Sequence, residues 1–324
     1  MASPSPDARV LVTGGAGFAA GHLFDRLLTP DAAAPPRIVA WHRPGGHPPP
    51  AAAHAITWRG VDLLDADAVH AAIAADPPDQ VYHLAGATHQ GRSFAQPTDV
   101  LRVNAMGTDH LLRALARHAP HARALVTSTG FVYQPGDAAT AEDAPLRPAS
   151  PYALSKLAQE MVARHAGATT PVEVILCRPF NHLGPRQSAD YFAPNFARQI
   201  AAIARGKAEP VLKVGNLTAR RDLSDVRDVV EAYLALLANG RKGHVYNVGS
   251  GREVRLRDVL DALLDLAKVK ARVTTDPQRV RRDEQLRVRA DVFKIESHTG
   301  WVSRIPLIES LRDILASRTD RLPT

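Results

Sequence analysis

The chain of 324 residues has one cysteine, Cys177. An intramolecular disulfide and a thiolate metal cluster are excluded, and a reducing cytoplasm fits. No apolar run approaches the ~20 residues of a membrane-spanning helix, so no membrane partner is expected. The start, Met1 to Arg9, lacks a cationic stretch followed by an apolar one and does not read as a secretion signal. Internal repeats are absent. Charge is not concentrated either: 40 Lys+Arg against 33 Asp+Glu leave a net +7, spread along the chain. Without a dense basic tract interleaved with aromatics, nucleic acid is not the expected partner. A basic surface, with arginines for a phosphorylated small molecule, accounts for the balance. The 14 histidines supply no HxxxH or HExxH on a helix, and His110 and His118 stand too far apart to share a ligand set. No metal is expected.

Apolar residues at 45% support a real core, enough for one large domain with a smaller lobe. The first half alternates β-rich and helical runs. Strands are expected at Arg9–Thr13, Arg37–Trp41, Gln80–Leu84 and Ala122–Ser128. Helices are expected at Gly17–Leu28, Ala66–Ala75 and a long stretch Ser93–His118. Ser150-Pro151 pairs a capping hydroxyl with proline at the first helical position, opening a helix to about His165. Val172–Cys177 reads as a buried strand. This βαβ rhythm predicts an α/β fold, a doubly wound parallel sheet. Beyond Pro179 the rhythm loosens, with helices at Ala193–Arg205, Val226–Ala238, Leu256–Ala267 and Leu307–Leu315. Residues 1–178 are read as a dinucleotide-binding domain to which later segments return, and 179–324 as mainly a substrate lobe. The low-complexity stretch Arg43–Ala53 reads as a loop after the second strand.

Val10–Gly21 is a strand, a glycine-rich turn and a helix entry. Gly14 and Gly17 let backbone approach a pyrophosphate, and Phe18 and Ala19 begin a helix whose free N–H groups face it. The context, a first strand opening a helix inside a βαβ unit, marks a dinucleotide site. At the end of strand two, where an NAD enzyme usually places Asp or Glu, stand His42 and Arg43. Cations there suit a 2′-phosphate, which favours NADP(H) and leaves NAD(H) open. Asp62 and Leu63, after the next strand, are expected at the adenine edge.

Tyr152 and Lys156 form a YxxxK pair. One helical turn apart, they share a face. An ammonium beside a phenol is expected to lower its pKa from about 10, so that the tyrosine exchanges protons near neutral pH. Thr127-Ser128-Thr129 ends strand five and offers a hydroxyl to hold the reacting oxygen. Such a trio serves hydride transfer between carbon and nicotinamide. Cys177 lacks a paired base and reads as core.

These segments, TGGAGFAAGHL, TSTGFVY and YALSK, resemble the extended short-chain dehydrogenase/reductase (NAD-dependent epimerase/dehydratase) family over nearly the whole chain. So do Leu84–Ala87 and Asn104–Thr108, where that family closes over the cofactor; Leu84 and Ala85 are carried over as cofactor contacts. Arg178–Ser188, Val214–Val230, Val245–Gly251 and Thr299–Trp301 are similar to GDP-4-keto-6-deoxymannose reductases, with GDP-mannose 4,6-dehydratases close by. The resemblance implies a Rossmann domain, a nucleotide-sugar substrate and a homodimer paired through the helices near Ser93–His118 and Ser150–His165. It makes Tyr152 the proton donor to the hexose C4 oxygen, Lys156 its tuning partner and Thr129 the active-site hydroxyl. It places Asn181 at the diphosphate, Arg221 and Arg281 at the diphosphate or nucleotide, and Asn216 and Glu284 at the GDP moiety.

Departures bear on the reaction. Dehydratases carry a Glu base two residues before the strand-end Tyr133; here Phe131 stands there, preceded by Gly130. The usual GPGQS reads Gly184-Pro185-Arg186-Gln187-Ser188, adding a cation at Arg186 with phosphate as a candidate partner. Reduction of GDP-4-keto-6-deoxymannose to GDP-D-rhamnose is the expected activity. A nucleotide-sugar 4-epimerase, or a 4-ketoreductase acting on another nucleotide hexose, uses the same trio. A non-catalytic NADP-binding protein commonly loses Tyr or Lys, and both are present.

Overall fold

The computed structural model describes residues 4–5, 7–29, 35–46, 55–88, 90–279 and 287–319. Residues 47–53 of the proline-rich stretch, and Arg281 and Glu284, lie outside them.

β1 (Arg9–Thr13) shows why the sheet is covered twice. Val10 and Val12 enter one core with Leu23 and Phe24 of α1 (Phe18–Leu27). Leu11, pointing the other way, enters a second core with Val69 and Ile73 of α2 (Ala66–Ala75). Alternate side chains of one strand face opposite layers, and both layers are apolar. The remaining parallel strands are β2 (Arg37–His42), β3 (Ile56–Gly60), β4 (Gln80–His83), β5 (Arg123–Thr127), β6 (Glu173–Pro179) and β10 (Val245–Val248). Their order is β10-β6-β5-β4-β1-β2-β3. The winding reverses between β1 and β4, and in such sheets ligands bind at the carboxyl ends beside that reversal.

The chain leaves the sheet after Pro179. β7 (Asn181–Leu183) and β11 (Glu253–Arg255) flank β9 (Arg220–Asp225), while β8 (Val211–Val214) pairs with β12 (Arg272–Thr275). Helices α7 (Phe192–Ala204), α9 (Leu256–Ala267) and α11 (Leu307–Thr319) close a third core around Phe196, Leu212, Leu260 and Ile314. α8 (Val226–Asn239) returns to pack on α1, and β10 joins the large sheet beside β6. Among the described residues no helix is long and apolar enough to cross a membrane.

Two expected limits shift for physical reasons. The stretch Ser93–His118 is not one helix. It divides into α3 (Gln90–Ser93), α4 (Pro97–Leu101), a π-turn (Arg102–Met106) and α5 (Gly107–His118). Pro97 restarts the helix at its first position, and the wider π-turn turns Asn104 inward. α6 (Pro151–Thr169) begins as expected, with Ser150 accepting from Ala153 N, but it passes His165. Gly167 does not end it, because bare backbone there packs on Val174, whose Cβ would lie 3.2 Å from an added Cβ. Cys177 is fully buried, and burial pushes its thiol upward in pKa.

Candidate active site

Gly14 turns with φ +71°, and a Cβ there would stand 2.7 Å from the Ala85 backbone. Only glycine fits that approach. Gly17 then caps α1 with no side-chain hydrogen bond, and the first turn carries no acidic residue. The uncapped N–H groups open on a cleft of about 1260 Å³. Such a cradle, electropositive and bare of side chains, fits a dinucleotide's pyrophosphate. Gly14, Gly17, Phe18, Ala19, Leu84 and Ala85 all line the cleft.

His42 and Arg43, at the end of β2, line the same cleft. The Arg43 guanidinium makes no ion pair among the described residues. Asp62 and Leu63 do not line the cleft. The Asp62 carboxylate accepts from Leu64 N at 2.9 Å, and Leu63 packs beneath Gly107 with its carbonyl on His110 Nδ1 at 2.8 Å. Asp62 is thus held by its own turn and Leu63 by α5.

Tyr152, Lys156 and Thr129 meet at the centre of the cleft. Of the three adjoining hydroxyls Thr129 is the one that acts on the phenol, pulling its pKa down. Thr127 Oγ1 donates to His83 O, and Ser128 Oγ to Glu160, itself locked to Arg178 in a buried pair. The expected lowering of the Tyr152 pKa is not met. Burial raises it to about 12, against a smaller opposing pull from Thr129. Lys156 is itself buried, which lowers it to about 8, and its ammonium donates to Thr127 O and Gln159 Oε1, both at 2.8 Å. Tyr152 therefore stands as a neutral phenol at pH 7, loaded to give a proton. Asn104 accepts from Ala87 N, donates to Ala87 O, and reaches Ser155 Oγ at 2.8 Å. It thereby fixes the loop over the cleft to the catalytic helix.

At the far end, Asn181, Asn216 and Arg221 line the same cleft. The buried Oδ1 of Asn181 has no partner among the described residues, an acceptor left for a ligand. Sequence reading missed Arg279. It lines the cleft, paired to Asp276 and donating to Asn195 Oδ1 at 3.0 Å. Nothing local marks it; the pairing of β12 with β8 carries the following turn to the site. Phe131 lines the cleft too, and among the described residues Asp190 is its only carboxylate. Arg186 does not reach the cleft: it pairs with Asp25 of α1, its backbone at φ 72°.

The family model of the NAD dependent epimerase/dehydratase family matches residues 10–249. The chain is 40% identical to a GDP-6-deoxy-D-mannose reductase of Pseudomonas aeruginosa over 264 residues, 81% of this chain and 86% of that protein. A dTDP-glucose 4,6-dehydratase of an Actinoplanes species is 30% identical over 319 residues, 95% of this chain and 97% of that one. The structure of RMD from Pseudomonas aeruginosa complexed with NADPH superposes with a TM-score of 0.84 at 34% identity, covering 97% of this chain and all of that one. An uncapped helix end, a Tyr/Lys/Thr centre and these matches agree: the chain is an oxidoreductase belonging to the NAD dependent epimerase/dehydratase family.

Proposed function

We propose that the protein reduces C4 of GDP-4-keto-6-deoxy-D-mannose with NADPH, giving GDP-D-rhamnose. The observation that carries this reading is the neutral Tyr152 phenol, held by Thr129 in a cleft with no carboxylate at position 131. Dehydration needs a base to remove the C5 proton, and Phe131 offers none. The similarity to the reductase of Pseudomonas aeruginosa supports the nucleotide and the sugar.

NADP(H) is the favoured cofactor, on Arg43 without a counter-ion among the described residues and no acidic residue at the end of β2. When bound, the reduced nicotinamide supplies the hydride. The chain's own residues do the rest. The α1 N-terminus holds the pyrophosphate, and Lys156 keeps one N–H for the cofactor ribose beyond the two it spends on Thr127 and Gln159. Thr129 and Tyr152 hold the C4 oxygen, and Tyr152 delivers its proton as that oxygen gains charge. Arg221 and Asn181 grip the diphosphate, with Asn216 near the GDP moiety, and Arg279 adds a second cation. In this reading the sheet lobe carries the cofactor and the 179–324 lobe mainly the sugar nucleotide.

We read the working unit as a homodimer in a reducing cytoplasm. Leu101, Met106, Leu154 and Met161 are exposed on α4, the π-turn and α6, an apolar face suited to a second copy. Leu154→Glu is expected to leave a monomer by light scattering.

The test is NADPH oxidation by purified protein given GDP-4-keto-6-deoxymannose. Tyr152→Phe is expected to slow turnover by about 10³-fold with NADPH binding kept. No oxidation, with NAD co-purifying, would move the reading to a 4-epimerase.

A further inference from the structure

A line of buried polar groups joins the phosphate turn to the catalytic lysine. Thr13 Oγ1 meets His83 Nδ1 at 2.7 Å, and His83 Nε2 meets Thr108 Oγ1 at 2.7 Å. Gln159 Nε2 donates to the same Thr108 oxygen at 2.8 Å, and Gln159 Oε1 accepts from Lys156 Nζ at 2.8 Å. Thr13, His83, Thr108, Lys156 and Gln159 are all buried.

The proton positions follow by elimination. Thr108 has one hydroxyl proton, and it goes to Asn104 O at 2.7 Å. Its oxygen must then accept from both remaining neighbours. His83 is therefore the Nε2–H tautomer, and its Nδ1 accepts from Thr13. Gln159 must turn its NH2 to Thr108, which leaves its carbonyl oxygen facing Lys156. A flipped amide would set an acceptor against a hydroxyl with no proton to give, and an NH2 against an ammonium.

We infer that Gln159 is the positioning residue of Lys156: its carbonyl, oriented by Thr108 and His83, holds the ammonium protonated and aims its remaining N–H into the cofactor cleft. The inference rests on Lys156 serving the cofactor as read above. Besides Gln159, the titratable groups around Lys156 are Cys177 on β6, Glu160 and Tyr152 on α6, and His83 on β4. Glu160 is paired with Arg178, accepts from Ser128 and makes no direct hydrogen bond to Lys156. Cys177 carries a thiol driven upward by burial. The Gln159 oxygen and the Thr127 carbonyl are the two acceptors bonded directly to the ammonium, while Glu160 favours the charged form from farther away.

The chain has only seven lysines, so the ¹³Cε resonance of Lys156 can be followed in the intact protein and assigned with Lys156→Arg. Gln159→Leu is expected to move its titration down by about one pH unit, the worth of one hydrogen bond to a charged group. Gln159→Glu is expected to move it up, and Thr108→Val, which frees the amide to flip, to move it down by less. The pH at which NADPH affinity begins to fall should follow in the same order. A merely structural glutamine would leave all titrations together, and that result overturns the inference. Shifts in the expected order in a protein that oxidises no NADPH would keep the inference and discard the reductase reading instead.

Discussion

The two ends of the cleft, which we assign by proposal to the cofactor and to the sugar nucleotide, are built differently. The cofactor end is local: a single strand-turn-helix supplies the cradle, and one helix supplies Tyr152 and Lys156. The sugar-nucleotide end draws Asn181, Asn216, Arg221 and Arg279 from β7, from β9 and its approach, and from the turn after β12. A local site is written as a motif. A dispersed site is written in tertiary contacts, so its residues can be exchanged one at a time without disturbing the chemistry at C4.

That contrast can be broken most directly at Gly14. Gly14→Ala puts a Cβ at a positive φ and against the Ala85 backbone. We expect NADPH binding to be lost and stability to fall by roughly 1–3 kcal/mol, measured by calorimetry and chemical unfolding. Arg221→Ala sharpens the contrast. KM for the sugar nucleotide should rise by about 10²-fold while NADPH affinity holds. A parallel loss of NADPH affinity would mean that the two ends are not separable.

Acid should lower stability through His83. Burial, helped by the Lys156 charge, lowers His83 to about 3, whereas the unfolded chain binds that proton near 6.5. Between those values the unfolded state holds more protons, so stability is lost as pH falls, by up to about 1.4 kcal/mol per pH unit. Unfolding midpoints from pH 7 to 4 should show the slope, flattened in His83→Gln. The smallest effect is expected at Arg43. Arg43→Ala should cut the preference for NADPH over NADH by about tenfold in steady-state kinetics, leaving NADH turnover unchanged.

What the sequence revealed follows the same division. The limits of β1, α2 and α9 match the expected ones, because their apolar periods and end signals are local. Ser150-Pro151 marked a helix start for the same reason. The far end of α6 was not legible: the helix passes His165 to Thr169, with Gly167 packed on Val174 inside it. The ionisation of Tyr152 was also out of reach. A YxxxK spacing reports that the ammonium is nearby, but not how deeply the phenol is buried or that Lys156 is turned to Gln159. Arg186 looked like a phosphate ligand by its place in a motif, and Asp25, far away in the chain, claims it. Arg279 carried no signal at all.

The place of β10 has a consequence for synthesis. Its partner β6 is complete at Pro179, yet the hydrogen bonds from Val245 to Val248 arrive only after the whole segment between them has been made. Until then a growing chain presents β6 as an apolar, unpaired sheet edge, the kind that joins edges on neighbouring molecules. The docking of β10 is a contact between distant parts of the chain, of the kind that forms slowly. A nascent chain stalled before Val245 should be a client for chaperones, and one released after Val248 should not.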